Sequence, residues 1–174
     1  MIVRFCDLLS KIIQNLTRIM EWIALIVMAL LMFFITIAVI SRMIFFPIIG
    51  DVEIVQLGMV ILIMGSIAYT QRIDGHISIG LIVDKFSPKA QKVMDSISAL
   101  LKVVITFIIG YIFIGIFLEH KNHIKVTTDL FDIPYYPFDL FISIAFIAWG
   151  LEALLKFFNS INDIFQLSHK GKEK

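Results

Sequence analysis

The chain has 174 residues, of which 59% are hydrophobic and 17% charged, and its formal net charge is +1. A soluble domain is about 45–50% apolar and about 25% charged, and a chain of this length cannot hide such an apolar excess in its core. The composition therefore predicts a membrane protein, and the near-neutral charge argues against nucleic acid as a partner.

Residues 1–21 predict an amphipathic helix rather than a membrane span. Apolar residues recur there at helical spacing, while basic and other polar residues occupy the opposite face. The pattern favours a helix that lies in the membrane surface, and equally one whose apolar face packs on a partner subunit. The apolar stripe comprises Phe5, Leu9, Ile12, Leu16, Ile19 and Ile23.

Four uncharged stretches follow, and each predicts a membrane-spanning helix, which needs roughly 20 mostly apolar residues. They cover residues 22–41, 54–71, 103–118 and 140–151. The third reaches spanning length if Lys102 extends its ammonium group to an interface. The fourth does so if Asp139 lies near one interface and Glu152 has a partner. The first ends in Ser41-Arg42 rather than a cleavage site, so we expect an uncleaved span.

We therefore predict a single membrane domain over residues 1–174 that ends in a cytoplasmic tail at 159–174. Its fold class is all-α integral membrane, with four transmembrane helices and the N-terminal amphipathic helix at the interface. The predicted spans cover about 22–45, 52–71, 94–118 and 135–157. The expected interfacial anchors are Trp22, Arg42, Lys102 and Lys156.

Local signals mark where two of these helices begin. Ser87 and Pro88 are typical of an N-cap and a first helical position, so span three is expected to begin as a helix that projects from the membrane. Pro134 and Pro137 lie near the start of span four, and the two tyrosines between them suit the headgroup layer.

The lysines and arginines predict the orientation. With the N-terminus in the cytoplasm, only Arg42, Lys121 and Lys125 of the 15 basic residues fall on the outer side, which is a strong positive-inside bias. An even number of spans then returns the C-terminus to the cytoplasm. We expect a multi-pass protein with both termini in the cytoplasm and with connectors 47–52 and 119–134 outside.

Polar and small residues of the spans predict local pairing and packing rather than a transport pathway. Arg42 and Glu53 lie near the outer ends of spans one and two and can pair with each other. Glu152 and Lys156 are four residues apart on one helix face and can pair as well. A self-sufficient ion-coupled carrier would need ionisable residues deeper in the bilayer. The small residues of span two, which allow close helix approach, are Gly58, Gly65, Ser66 and Ala68.

No residue pattern predicts a catalytic, metal or cofactor site. All four histidines fall in predicted loops or the tail, whereas a haem-binding span needs an axial ligand such as histidine within it. His120 and His123 lie three apart beside Glu119, but two ligands without a third make a solvated loop the better interpretation. The single cysteine, Cys6, allows neither an intrachain disulfide nor a cysteine metal motif. The histidines are His76, His120, His123 and His169.

Residues 50–91 carry a more specific pattern. The stretch GDVEIVQLGMVILIMGSIAYTQRIDGHISIGLIVDKFSPKAQ has a glutamate at the start of span two, a glycine near its end and then R-x-x-G-H-I. This pattern and the four-span plan resemble the DctQ family, the small membrane subunit of tripartite ATP-independent periplasmic (TRAP) transporters. The family often has an aspartate where this chain has Gly80, and here an aspartate follows one turn later. The candidates for structural or partner contacts are Glu53, Gly65, Arg72, Gly75, His76, Asp84 and Pro134.

The resemblance implies a role as one part of a larger transporter. A periplasmic substrate-binding protein would deliver an organic acid, such as a C4-dicarboxylate or a sialic acid-like carboxylate, to a complex in the bacterial inner membrane. The large multi-span membrane subunit would carry the substrate and sodium sites. The small subunit would be a scaffold in the membrane lipid that braces the large one and helps to dock the binding protein. The resemblance implies neither enzyme activity nor a cofactor.

Two other functions suit a small apolar helical chain. A four-helix membrane anchor subunit of a respiratory or other membrane enzyme would need haem or quinone ligands within its spans, and the histidine positions argue against it. A small self-assembling drug exporter would carry a carboxylate deep in an apolar span, and span one has none.

Overall fold

The computed structural model of the chain describes residues 2–44, 46–73, 75 and 86–170, with the backbone alone at residues 2–9, 88–89, 159 and 162–170. Over these residues the chain forms long helices and no strand, apart from one isolated bridge between Thr127 and Pro134. The helices are α1 (Ile2–Ile44), α2 (Asp51–Arg72), α3 (Pro88–Asn122) and α4 (Tyr136–Lys170). Each contains a segment long and apolar enough to cross a membrane, which confirms the prediction of four such helices in an all-α fold.

Helix α1 is continuous, so the predicted amphipathic segment and the first span form one helix. Polar side chains on one face do not interrupt backbone hydrogen bonding, and neither proline nor glycine occurs within residues 2–44 to end the helix. Ile12 and Ile19 of the predicted apolar stripe are 62% and 59% exposed, whereas Thr17 and Met20 on the adjacent face are buried. The stripe is therefore open to lipid or to a partner at Ile12 and Ile19, whereas its Leu16 packs against the core. The position of this segment in the membrane surface stays a prediction.

Helix α4 lies at the centre of the bundle. It packs most extensively on α3, and it also contacts α2 and, over a shorter stretch, α1. Helix α1 packs mainly on α2, and within the described residues α1 and α3 do not pack on each other. Short side chains at the centre let the helix backbones approach closely. The core where α1, α2 and α4 meet consists of Met20, Ala68, Ala145 and Ala148.

Two glycines of α2 set its spacing from α1. A Cβ at Gly65 would lie 2.9 Å from the carbonyl oxygen of Met20 and 3.1 Å from the Cβ of Ala24, so the two backbones are in direct contact there. A Cβ at Gly58 would instead meet the side chain of Leu31, at 2.7 Å. The close packing predicted for the small residues of span two is confirmed at both positions.

The start of α3 is as predicted, and α4 continues beyond the predicted fourth span. Ser87 caps α3 by accepting a hydrogen bond from the Ala90 N–H at 3.4 Å, and Pro88 occupies the first turn. Helix α4 begins at Tyr136, with Pro137 in its first turn. Residues 159–170 continue this helix, so the described part of the predicted tail at 159–174 is helical, and its cytoplasmic location stays a prediction.

Candidate functional site at the two ends of the bundle

Polar side chains gather at the two ends of the bundle. One end, which we call the connector end, holds the segments that join α1 to α2 and α3 to α4. The other end holds the end of α2 and the start of α3, and we call it the cleft end because a cleft lies there between α1 and the end of α2. Glu53 and Pro134 lie at the connector end. Arg72 and Gly75 lie at the cleft end, and Gly65 lies in the contact of α2 with α1.

The α3–α4 connector, residues 123–135, folds into a compact loop that positions Pro134. Pro134 pairs with Thr127 in an antiparallel bridge. Within this loop the Thr128 N–H donates to the Ile133 carbonyl oxygen at 3.0 Å, and the Thr128 hydroxyl accepts from the Ile133 N–H at 3.1 Å. Such local bonds from side chain and backbone give an irregular segment a defined shape.

Glu53, in the first turn of α2, holds this loop from the side. Its carboxylate accepts the backbone N–H of Leu130 at 2.7 Å and that of Phe131 at 3.2 Å. Hydrogen bonds to a charged acceptor are stronger than neutral ones. Gly50 completes the contact, because its φ of 81° is left-handed and a Cβ there would collide with the Phe131 ring. We call Gly50, Glu53, Leu130 and Phe131 the clamp.

Arg42 pairs with Asp51 rather than with Glu53. Its guanidinium donates to the Asp51 carboxylate at 2.8 Å, and the arginine side chain is 62% exposed. The predicted pair of Arg42 with Glu53 is therefore wrong, because the loop backbone occupies the Glu53 carboxylate. An exposed ion pair of this kind adds little to the contact between α1 and α2.

A histidine–carboxylate contact joins the end of α3 to the start of α4. His120 Nδ1 lies 2.7 Å from Asp139 Oδ2, and both side chains are mostly shielded from solvent. The predicted solvated loop is therefore wrong for His120, and His169 lies in the helical part of the predicted tail. His123 ends α3, with its N–H bonded to the Glu119 carbonyl oxygen and its side chain exposed. The two neighbouring histidines do not converge, and in the described part of the chain no three metal-binding side chains cluster.

Two hydrogen bonds with buried acceptor residues link the helices towards the cleft end. Glu152 of α4, which is 4% exposed, accepts from the hydroxyl of the fully buried Thr17 in α1 at 2.8 Å. Trp149, one turn earlier in α4, donates its indole N–H to the buried Gln71 of α2 at 3.2 Å. We call these two bonds the buried ties. Sequence reasoning missed both, although a polar residue isolated on an apolar helix face needs an internal partner.

The four predicted anchors differ in exposure. Trp22 and Arg42 are exposed, whereas Lys102 and Lys156 are half-buried. The structure gives the Glu152 carboxylate a partner on another helix, and its predicted contact with Lys156 stays a prediction. The location of these anchors at the membrane surface likewise stays a prediction.

A cleft of about 360 Å³ lies between α1 and the end of α2. Its lining comprises Arg18, Glu21, Trp22, Tyr69, Arg72 and Ile73. Beyond the cleft, the Gly75 N–H donates to the Thr70 carbonyl oxygen at 2.9 Å and closes the end of α2. The next two predicted contact residues, His76 and Asp84, lie outside the described residues.

One family model matches most of the chain. The family model described as "Tripartite ATP-independent periplasmic transporters, DctQ component" matches residues 31–163. The match runs from the middle of α1 through α2 and α3 into α4, and it includes the whole clamp. Comparison with curated proteins and with solved structures gave no match. The chain therefore belongs to the DctQ family, a component of the tripartite ATP-independent periplasmic transporters.

Proposed function

We propose that this chain is the non-catalytic small permease subunit of a sodium-coupled TRAP transporter that imports an organic acid into a bacterial cell. The large membrane subunit binds the sodium ions and the transported acid, a C4-dicarboxylate or a sialic acid-like carboxylate. This chain is the scaffold that braces the large subunit in the inner membrane. It also forms part of the surface on which the periplasmic binding protein docks.

The observation that carries this proposal is the match to the DctQ family over residues 31–163. The use of polar side chains supports it, because the clamp and the buried ties connect elements of this same chain. A coupled carrier instead keeps polar groups available for ion and solute near the middle of the membrane. Since these polar side chains are already hydrogen-bonded within the chain, they favour a rigid support over a moving transport domain.

The apolar surface supports a large partner in the membrane. Helices α1 and α3 expose large apolar side chains along their lengths, including Phe33 and Met43 on α1 and Ile108 and Tyr111 on α3. Since these two helices do not pack on each other within the described chain, they give the bundle two separate apolar sides. One side suffices for a large membrane subunit, and lipid covers the other.

The connector end is the part that we assign to the binding protein. The predicted orientation directs this end to the periplasm. The clamp gives the loop at residues 123–135 a defined shape before any partner arrives. A surface that is already ordered loses less conformational entropy on binding.

Reconstitution in liposomes tests the division of labour. This chain, the large subunit and the binding protein are combined under an inward sodium gradient, with C4-dicarboxylates and sialic acid as candidate solutes. Uptake is expected only when both membrane subunits are present. Sodium-dependent uptake by this chain without the large subunit refutes the scaffold role, and full uptake by the large subunit alone refutes the need for a scaffold.

A further inference from the structure

The cleft between α1 and the end of α2 combines charge with aromatic rings. Two guanidinium groups, one carboxylate and two aromatic rings face it, contributed by Arg18, Arg72, Glu21, Trp22 and Tyr69. Its volume of about 360 Å³ falls within the range of about 300–1,000 Å³ that small-molecule pockets occupy. Two arginines against one glutamate leave the lining with an excess of one positive charge. The cleft therefore suits a ligand group with a single negative charge.

Within the part of the chain that the structure describes, both arginines are available to such a ligand. Arg18 is exposed and Arg72 is half-buried. Neither guanidinium has an ion pair or a side-chain hydrogen bond with any residue that the structure describes, in contrast to Arg42, which is bound to Asp51. A planar guanidinium without a carboxylate partner matches the geometry of phosphate oxygens, to which it donates two parallel hydrogen bonds.

The cleft lies where the uncharged stretches of α1 and α2 end and charged residues begin. Arg18 precedes the uncharged stretch of α1, and Tyr69 and Arg72 lie where the uncharged stretch of α2 ends. The close contact of Gly65 with Met20 fixes this register between the two helices. Tryptophan and tyrosine in such a position favour the headgroup layer of a bilayer. A ligand in the cleft therefore lies at the depth of the lipid phosphates.

We propose that this cleft binds the phosphodiester headgroup of an anionic glycerophospholipid. The two guanidinium groups bind the phosphate oxygens, and Glu21 accepts a hydrogen bond from a headgroup hydroxyl. Trp22 and Tyr69 lie beside the lipid glycerol. The acyl chains follow the exposed apolar surface of α1 beyond the cleft, at Ile23 and Ile26.

Charge selects among the common lipids. The headgroup of phosphatidylglycerol carries one negative charge, which cancels the excess in the cleft, and its free hydroxyls suit the carboxylate of Glu21. The headgroup of phosphatidylcholine is zwitterionic, so it leaves that excess in place, and its quaternary ammonium has no hydrogen to donate. On the side that the basic residues assign to the cytoplasm, basic pockets between helices are suited to anionic headgroups.

Native mass spectrometry of the full chain in a non-ionic detergent tests the proposal, with phosphatidylglycerol and phosphatidylcholine that carry identical acyl chains. We expect phosphatidylglycerol to bind at least about tenfold more tightly, because it alone donates a charge-assisted hydrogen bond to Glu21 and cancels the excess charge, and one such bond is worth roughly a factor of ten. Arg18→Gln together with Arg72→Gln should abolish this preference. Arg42→Gln, which removes an arginine at the opposite end of the bundle, is the matched control and should retain it. Arg18→Lys together with Arg72→Lys keeps the charge and should retain part of it.

Several results of these experiments would overturn the lipid proposal. Equal binding of the two lipids, or a preference that survives in the double glutamine variant, overturns the proposal. Inorganic phosphate and soluble glycerophosphoglycerol serve as competitors, and displacement of the lipid by either at comparable concentration shows that the cleft takes a soluble phosphate group and overturns the lipid assignment. Circular dichroism checks the helix content of every variant. If the double glutamine variant loses helix content, the two single variants decide, and an unchanged preference in both overturns the proposal.

Discussion

The two ends of the bundle hold their helices together by different kinds of contact. At the connector end, the clamp and the pair of Arg42 with Asp51 are contacts that exposed or half-buried charged side chains make with a loop backbone or with each other. The shielded contact of His120 with Asp139 is the exception at this end. Towards the cleft end, buried polar side chains bind across helices, as Glu152 does with Thr17. Water can replace a contact of the first kind but not of the second, so we expect the buried ties to contribute more to stability.

This difference suits the two tasks of the proposed scaffold. The buried ties fix α1, α2 and α4 relative to one another within the membrane. The clamp fixes the shape of the α3–α4 connector and leaves much of its surface exposed. Stability of the bundle and shape of the connector should therefore respond to different mutations.

The two ends should differ most in their accessibility from outside the cell. In a Cys6→Ala background, a cysteine introduced at Asn122 should react with an impermeant thiol reagent in intact cells, because the basic residues assign the connector end to the outside. A cysteine at Ser87, just before the other end of the same helix, should be protected until the cells are opened. Reaction at Ser87 together with protection at Asn122 would invert the orientation and move the proposed docking surface to the wrong side.

Among stability effects, loss of a buried tie should be the greatest. Glu152→Ala removes a large buried side chain and leaves the Thr17 hydroxyl without its acceptor, so we expect a loss of about 2–4 kcal/mol in the free energy of unfolding. Thr17→Val keeps the shape of the side chain but leaves the Glu152 carboxylate without this donor, and it should lose about 0.6–1.7 kcal/mol. Glu152→Gln keeps an acceptor oxygen and is the matched control. Unfolding in mixed detergent micelles measures all three, and a Glu152→Ala variant as stable as the native chain would contradict the role of the tie.

Alanine substitutions at two glycines of α2 compare how the contact of α1 with α2 tolerates an added methyl group against a backbone and against a side chain. Gly65→Ala places a methyl group against the Met20 backbone, which has little room to move, and should destabilise the bundle by about 1–3 kcal/mol. Gly58→Ala meets the side chain of Leu31, which can turn aside, so its effect should be below about 1 kcal/mol.

Gly115→Ala is the control for these two substitutions, because a Cβ there has nothing within 4 Å. It should stabilise helix α3 by about 0.5–1 kcal/mol through helix propensity alone. Thermal unfolding in detergent gives the order of the three variants. Equal losses for Gly65→Ala and Gly58→Ala would mean that the two helices adjust as easily against a backbone as against a side chain.

Loss of the clamp should change the connector more than the bundle. Glu53→Ala removes the acceptor for the N–H groups of Leu130 and Phe131, which can turn to water instead. We expect thermal unfolding close to that of the native chain, together with faster proteolysis of the loop and weaker docking of the binding protein. Asp51→Ala, at the same helix start but outside the clamp, is the control for local charge. Native-like proteolysis of the Glu53 variant would show that the loop holds its shape without the clamp.

The sequence predicts what depends on neighbouring residues and misses what depends on distant ones. The helix start at Ser87 and Pro88 is a local signal, and the structure places the cap there. The pair of Thr17 with Glu152 joins residues 135 positions apart, and no local pattern specifies which two helices meet. The partner of Glu53 was missed for the same reason, because the loop that reaches it lies 77 and 78 residues away.

The pair of Arg42 with Asp51 should give the smallest effect, and it can sharpen the contrast between the two ends. A double-mutant cycle with Arg42→Gln and Asp51→Asn should yield a coupling energy of about 0–1 kcal/mol, because the arginine side chain is 62% exposed and water competes for it. Added salt should lower this coupling further, since exposed charges are screened. A coupling above about 2 kcal/mol would mean that the connector end is as dry as the buried ties, and the distinction between the ends would disappear. The same cycle in the complex with the large subunit then reports on what covers this end. If the coupling rises, the large subunit excludes water from the pair; if it stays low and salt-sensitive, the connector end remains open to the binding protein.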